Sequence, residues 1–253
     1  MPTTTSQSNF APDYLIYGWH IMWQKGLRRY ALMPLLINLV LFSAGVVWVV
    51  QSAPEWVAAI MTMLPSYLQF LEWLLWPLLV ITIILVFALS FTTLATIIAA
   101  PFNSLLAEQV VFRRSGLPPR AMTALGLLKE LPRVLSRELQ KLLYLLPRLL
   151  IVGLLALLLP VVGQVLWLLF SGWMMTIQYL DYPFDNQHIS FRQMRRSLAQ
   201  QRGKSLTFGL TIALLASLPL VNLLIMPVAV CGASALWVDH FHQPRYANST
   251  PIK

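Results

Sequence analysis

The chain has 253 residues, 58% of them apolar and only 11% charged, with a formal charge of +9. Soluble domains carry about 25% charged residues, so this composition excludes a water-soluble globule and any sizeable soluble domain. Four stretches, 30–54, 73–107, 149–180 and 205–238, contain no Asp, Glu, Lys or Arg. Each exceeds the ~20 residues that cross a bilayer as a helix. The expectation is an all-α integral membrane protein forming a single membrane domain. The positive charge fits basic cytoplasmic loops, and nucleic-acid binding is not expected.

Residues 1–26 read as an interfacial N-terminal segment, in which DYLIYGWHIMWQ (13–24) mixes Tyr and Trp with few charges. No A-x-A site follows the apolar run from Tyr30, so a cleaved leader is not expected. Gly26 interrupts the segment. A transmembrane helix is predicted over 27–53 and is ended by Pro54 in QSAPEW. SYLQFLEWLLW reads as a second interfacial piece leading into a transmembrane helix over 73–107.

The loop 55–72 holds Glu55 and Glu72 and no Lys or Arg. Segment 108–148 holds eight basic residues and reads as a cytoplasmic basic amphipathic segment; segment 181–204 holds five. Four plain spans would put these two basic segments on opposite sides, against the positive-inside bias. Run 149–180 is broken by Pro160 and Gly163, and run 205–238 by Pro219 and Asn222. Each then reads as a re-entrant helical hairpin, followed by a polar tail, 239–253. The fold class is two long transmembrane helices plus two partly inserted helical hairpins and interfacial amphipathic helices.

The hairpins also read as a weak internal repeat. Leu-Pro at 159–160 and 218–219 is followed by Gly172 or Gly232 and closed by Asp181 or Asp239. Paired interrupted helices point to a transporter binding region.

Enzyme chemistry finds no support. His20, His188, His240 and His242 lack metal-ligand spacing, Cys231 is the only cysteine, and no phosphate-binding glycine loop or nucleophile elbow occurs. No enzyme activity, cofactor or metal is expected. The four apolar runs also contain no acid that could relay protons, which favours a passive solute path over a pump.

Positive groups are the abundant resource. KGLRR sets Lys25, Arg28 and Arg29 beside the amino end of the first spanning helix. Backbone N–H groups there lack intrahelical acceptors, Gly26 leaves room for an anion, and arginine offers forked donors. The alternative is that these residues only anchor the helix at the headgroups. Lys129, Arg133, Arg137 and Lys141 recur every four residues opposite a leucine stripe. That face either steers anions or rests on anionic lipid, the second being the more general use. In AAPFNSLLAEQVVFRRSG, Glu108 among Arg113 and Arg114 either tunes an anion path or makes a solvated ion pair. FRQMRRSL (191–198) reads as a surface helix with a basic face. DYPFDN (181–186) reads as a turn with capping Asp residues.

GLRRYALMPLLIN (26–38), AAPFNSLLAEQV (99–110), YLDYPFDN (179–186) and NLLIMPVAVCGASALWVD (222–239) together resemble the CysZ family of bacterial sulfate permeases over nearly the whole length. The resemblance implies passive sulfate uptake across the bacterial inner membrane for cysteine biosynthesis, by a homo-oligomer. It places sulfate binding at Gly26, Leu27, Arg28 and Arg29, and a pore-lining or charge network at Glu108, Arg113 and Arg114. The chain departs from the family pattern at Val111, where relatives carry a second Glu. The alternative function is a non-transporting membrane scaffold or accessory subunit that binds lipid and a partner protein. Sulfate, membrane lipid and further copies of the chain are the expected partners.

Overall fold

The computed structural model describes residues 10–63, 72–118 and 124–242. Among these, every regular element is helical. The order is α1 (Asp13–Met22), α2 (Arg28–Thr62), α3 (Glu72–Ser115), α4 (Ala124–Leu158), α5 (Pro160–Asn186), α6 (Phe191–Gln200), α7 (Arg202–Ala216) and α8 (Pro219–His240). Among the described residues, three helical segments are long and apolar enough to cross a membrane: Arg28–Thr62, Leu135–Leu158 and Pro160–Asn186.

Two compact units divide the chain. One comprises Leu32–Phe102, the greater part of α2 and α3. Within it Phe42 on α2 meets Phe87 and Phe91 on α3 at centroid distances of 5.9 and 4.9 Å. Most of its remaining described large apolar side chains, such as Leu36, Val40, Ile81 and Leu85, face outward. That is the arrangement hydrocarbon requires.

Both long helices exceed their expected bounds. The helix expected to stop at Pro54 runs on to Thr62, with Pro34 and Pro54 inside it. Without water to satisfy opened backbone groups, a membrane helix accommodates a proline rather than unwinding. Likewise α3 passes residue 107 and continues through Glu108 to Ser115. The second interfacial piece falls largely on 64–71, outside the described residues, as does Arg120.

The other unit joins residues up to Ala31 with Asn103 onward and contains the buried core. Both Leu-Pro sites break the helices as expected: α5 starts at Pro160 and α8 at Pro219, each with Pro in its first turn. Proline suits that position because the first N–H groups have no intrahelical acceptor. The matched positions of the repeat have different partners. Gly172 on α5 meets Leu210 on α7, Gly232 on α8 lies against the Tyr14 backbone on α1, and the closing Asp181 and Asp239 each grip a guanidinium.

Two local expectations are corrected. DYPFDN is the last part of α5, not a turn. The second half of the basic segment is not a separate interfacial helix either, since α4 runs unbroken from Ala124 to Leu158. Moreover, α4 is turned the other way round from a lipid-resting helix. Arg137 and Lys141 are buried, while Leu135, Leu139, Leu142, Leu143 and Leu146 face outward. Three carboxylates make this possible. Arg137 Nε pairs with Asp181 at 2.8 Å, Arg133 with Asp185 at 2.5 Å, and Lys141 with Glu138 at 2.6 Å and Asp181 at 3.3 Å. Three cations thus face three anions, which offsets the desolvation that would otherwise forbid burial. The Lys129 side chain is outside the described set.

As expected, α6 is a surface helix. Ser190 and Gln193 form its capping box, Phe191, Met194 and Leu198 are buried, and Arg192 and Arg196 are exposed.

Candidate functional site: the Gly26 turn and its arginines

Between α1 and α2 the chain turns sharply over residues 23–27. Gly26 takes φ +94°, a conformation that side chains beyond glycine rarely adopt. Leu27 is fully buried in the core and pins the turn. Arg28 and Arg29, which open α2, remain exposed. Arg29 donates to the Tyr30 hydroxyl at 2.9 Å with its guanidinium 4.8 Å above that ring. No carboxylate meets Arg28 or Arg29 among the described residues.

The helix start offers fewer backbone donors than its sequence suggests. The N–H groups of Leu27 and Arg28 both turn back to the Gln24 carbonyl, at 3.1 and 3.3 Å. An anion here would depend mainly on side chains.

Arg113, near the end of α3, buttresses the turn from behind. Its Nη2 donates to the Lys25 carbonyl at 2.7 Å and its Nη1 to Gln24 Oε1 at 2.9 Å. A Cβ on Gly26 would stand 3.1 Å from Arg113 Nη2. The sequence offered no sign that residues 24–26 and 113 meet, since the carbonyl of any residue could have served as acceptor.

Arg114 faces a different partner. It forms a two-pronged pair with Asp239, Nε to Oδ1 at 2.7 Å and Nη2 to Oδ2 at 2.6 Å. Its guanidinium also lies 4.8 Å from the Tyr17 ring centroid. Tyr14 donates to Asp239 Oδ2 at 2.7 Å and sits 3.1 Å from His240 Nε2, while Lys204 Nζ lies 3.2 Å from His240 Nδ1. A lysine ammonium can only donate, which assigns Nδ1 as acceptor and leaves Nε2–H to donate to the Tyr14 oxygen. Burial would raise the Asp239 carboxyl, but the Arg114 and Tyr14 hydrogen bonds outweigh it and hold it below its ordinary value. This polar chain ties α1, α3, α7 and α8 together. It includes Tyr14, Lys204, Asp239 and His240, none of which sequence reasoning singled out as functional.

Glu108 is buried and lines a polar cavity of about 150 Å³ with Asn186, Gln187 and His188. Asn186 bonds Ser104 on the same helix as Glu108, side chain to side chain at 2.6 Å. Glu108, Arg113 and Arg114 therefore serve three distinct surroundings, although a single turn or so separates them along α3. Among the described residues no group of three His, Cys, Asp or Glu side chains is placed to hold a metal ion.

Comparison with known proteins adds a direct link. The family model described as sulfate transporter CysZ/etoposide-induced protein 2.4 matches residues 14–227. Relatives named sulfate transporter CysZ from Salmonella typhimurium, Salmonella paratyphi A and Salmonella typhi are each 46% identical over 230 residues. The match covers 89% of this chain and 90% of each relative.

Proposed function

We propose, since the chain belongs to the sulfate transporter CysZ/etoposide-induced protein 2.4 family, that it is a multi-pass protein of the bacterial inner membrane and admits sulfate for cysteine biosynthesis. The observation that carries the site is the Gly26 turn, where exposed Arg28 and Arg29 flank a glycine held by Arg113.

Sulfate carries two charges, and hydrocarbon offers nothing in place of its hydration shell. Arg28 and Arg29 would replace part of that shell with forked N–H donors, and the positive end of α2 adds to the attraction. Among the described residues neither arginine meets a carboxylate, so both remain available to an arriving anion. Arg113 positions the turn, and Glu108 lines a separate polar cavity with Asn186 and His188. Exposed groups bind weakly enough for release, as conduction needs.

The two hairpins are read as entering the membrane partway. Length alone would let Leu135–Leu158 cross, but Arg137, Lys141 and Arg148 lie within it. Its charge-free tip, Leu149–Leu158, reaches about 15 Å, half of a ~30 Å hydrocarbon core. Helix α7 has 15 residues and also falls short of a span. The outward leucine face of α4 is the surface available to another copy in a homo-oligomer.

The test is uptake of radiolabelled sulfate into proteoliposomes by the wild type and the Arg28→Ala/Arg29→Ala variant. Loss of two charge-assisted contacts lowers saturable flux by roughly tenfold or more. Equal flux in both would return the arginines to a topology role. No flux from the intact, inserted protein would favour the scaffold.

A further inference from the structure

Most described basic residues packed into the helical core have an acidic partner. Arg114, Arg133, Arg137 and Lys141 each meet a carboxylate. Arg148 on α4 and Arg195 on α6 meet none among the described residues. They share a ring instead: the Arg148 guanidinium lies 3.7 Å and that of Arg195 4.5 Å from the Tyr144 centroid.

The ring is held firmly. Trp173 on α5 donates its indole N–H to the Tyr144 hydroxyl at 3.3 Å, and Phe191 on α6 packs edge-on at 5.8 Å. Arg148 Nη1 donates to the Tyr144 carbonyl at 2.7 Å. Arg195 Nε is buried with no hydrogen-bond partner among the described residues.

A guanidinium stacked on an aromatic face keeps its N–H groups in its own plane, where they remain free for an oxyanion. Two such cations on one ring also repel, and an anion within reach of both would offset that repulsion. Their depth identifies the anion. The charge-free tip of α4 begins at Leu149, directly after Arg148, whereas Arg192 and Arg196 on α6 are exposed and charged, as a polar medium requires. The Tyr144 ring therefore lies where apolar surface gives way to polar surface, the level of lipid headgroups.

We propose that Arg148 and Arg195, set on Tyr144 where α4, α5 and α6 meet, bind the phosphate of a net-anionic phospholipid. The site shares no residue with the Gly26 turn and does not depend on the substrate reading. It replaces the lipid contact expected of Arg133, Arg137 and Lys141, which face inward.

The experiment is native mass spectrometry of the detergent-purified protein with phosphatidylglycerol or phosphatidylcholine at equal mole fraction. The wild type retains phosphatidylglycerol preferentially. Arg148→Gln, at an exposed position that folding tolerates, lowers retention about fivefold, and Arg148→Gln/Arg195→Gln brings it to the phosphatidylcholine level. Arg192→Gln removes the same charge away from the ring and changes retention less than about twofold. Tyr144→Leu keeps both charges but removes their platform, and also lowers retention. Unchanged retention in the double variant overturns the site. Equal losses in Arg192→Gln and Arg148→Gln reduce it to general surface charge. Inorganic phosphate displacing the lipid at equal concentration overturns the lipid assignment in favour of a soluble oxyanion.

Discussion

Arg113 Nη2 sits 2.7 Å from the Lys25 carbonyl and 3.1 Å from where a Cβ on Gly26 would stand. The glycine is required by its φ of +94°, and a Cβ there would also crowd the guanidinium behind it. Gly26→Ala costs about 1–2 kcal/mol in backbone strain and pushes Arg113 off its carbonyl. Sulfate flux in proteoliposomes should fall several-fold while the melting temperature falls only slightly. Wild-type flux in Gly26→Ala would show that the turn need not hold this shape.

Asp181 compensates two buried cations, Arg137 at 2.8 Å and Lys141 at 3.3 Å. Asp181→Ala leaves them facing a cavity with one fewer anion, at a cost of about 3–5 kcal/mol. Denaturant titration in mild detergent should show that loss. A stability change under about 1 kcal/mol would mean that water or lipid already screens the cluster.

The Arg114–Asp239 pair gives a pH dependence of known sign. Asp239 titrates below its unfolded value, so its contribution is complete above the ordinary carboxylate range of about 4. It is lost as pH falls through the lower folded value. Thermal stability of the wild type should therefore drop below about pH 4, and that component should be absent in Asp239→Asn. At pH 7, Asp239→Asn should already be less stable than the wild type. Identical acid profiles would remove Asp239 as a contributor.

Helices α5 and α7 cross where Gly209 lies against the Gly172 carbonyl and Thr176 Oγ1. Thr176 donates to the Ser205 carbonyl at 2.5 Å in the same contact. Any Cβ at 209 collides with backbone, which cannot move aside as a side chain can. Gly209→Leu should separate α5 from α7 and cost about 3 kcal/mol or more through overpacking. Loss of the single folded peak on size exclusion is the expected result, and a normal profile would contradict the close crossing.

Several features were legible in the chain alone. Membrane residence follows from 58% apolar composition and four charge-free runs, because burial in hydrocarbon depends on sums over contiguous residues. The helix breaks at Leu159-Pro160 and Leu218-Pro219 were legible too, because a turn former follows each proline, whereas Pro54 did not end α2. By the same locality, α6 and its Ser190–Gln193 box follow from short-range spacing. The turn at Gly26 was marked by its glycine, and the family resemblance directed attention to the arginines after it.

Only tertiary structure decided which face of α4 points inward. A period of four basic residues defines two faces, but in a membrane either face can be the interior one. The outcome depended on Asp181 and Asp185, 40 or more positions away and read from sequence as a turn. Similarly, adjacent Arg113 and Arg114 looked equivalent, yet successive helical residues point about 100° apart, and they meet Lys25 and Asp239 respectively. Local chemistry set where helices could begin and end. Pairing of distant charges, which no local pattern encodes, set what each arginine became.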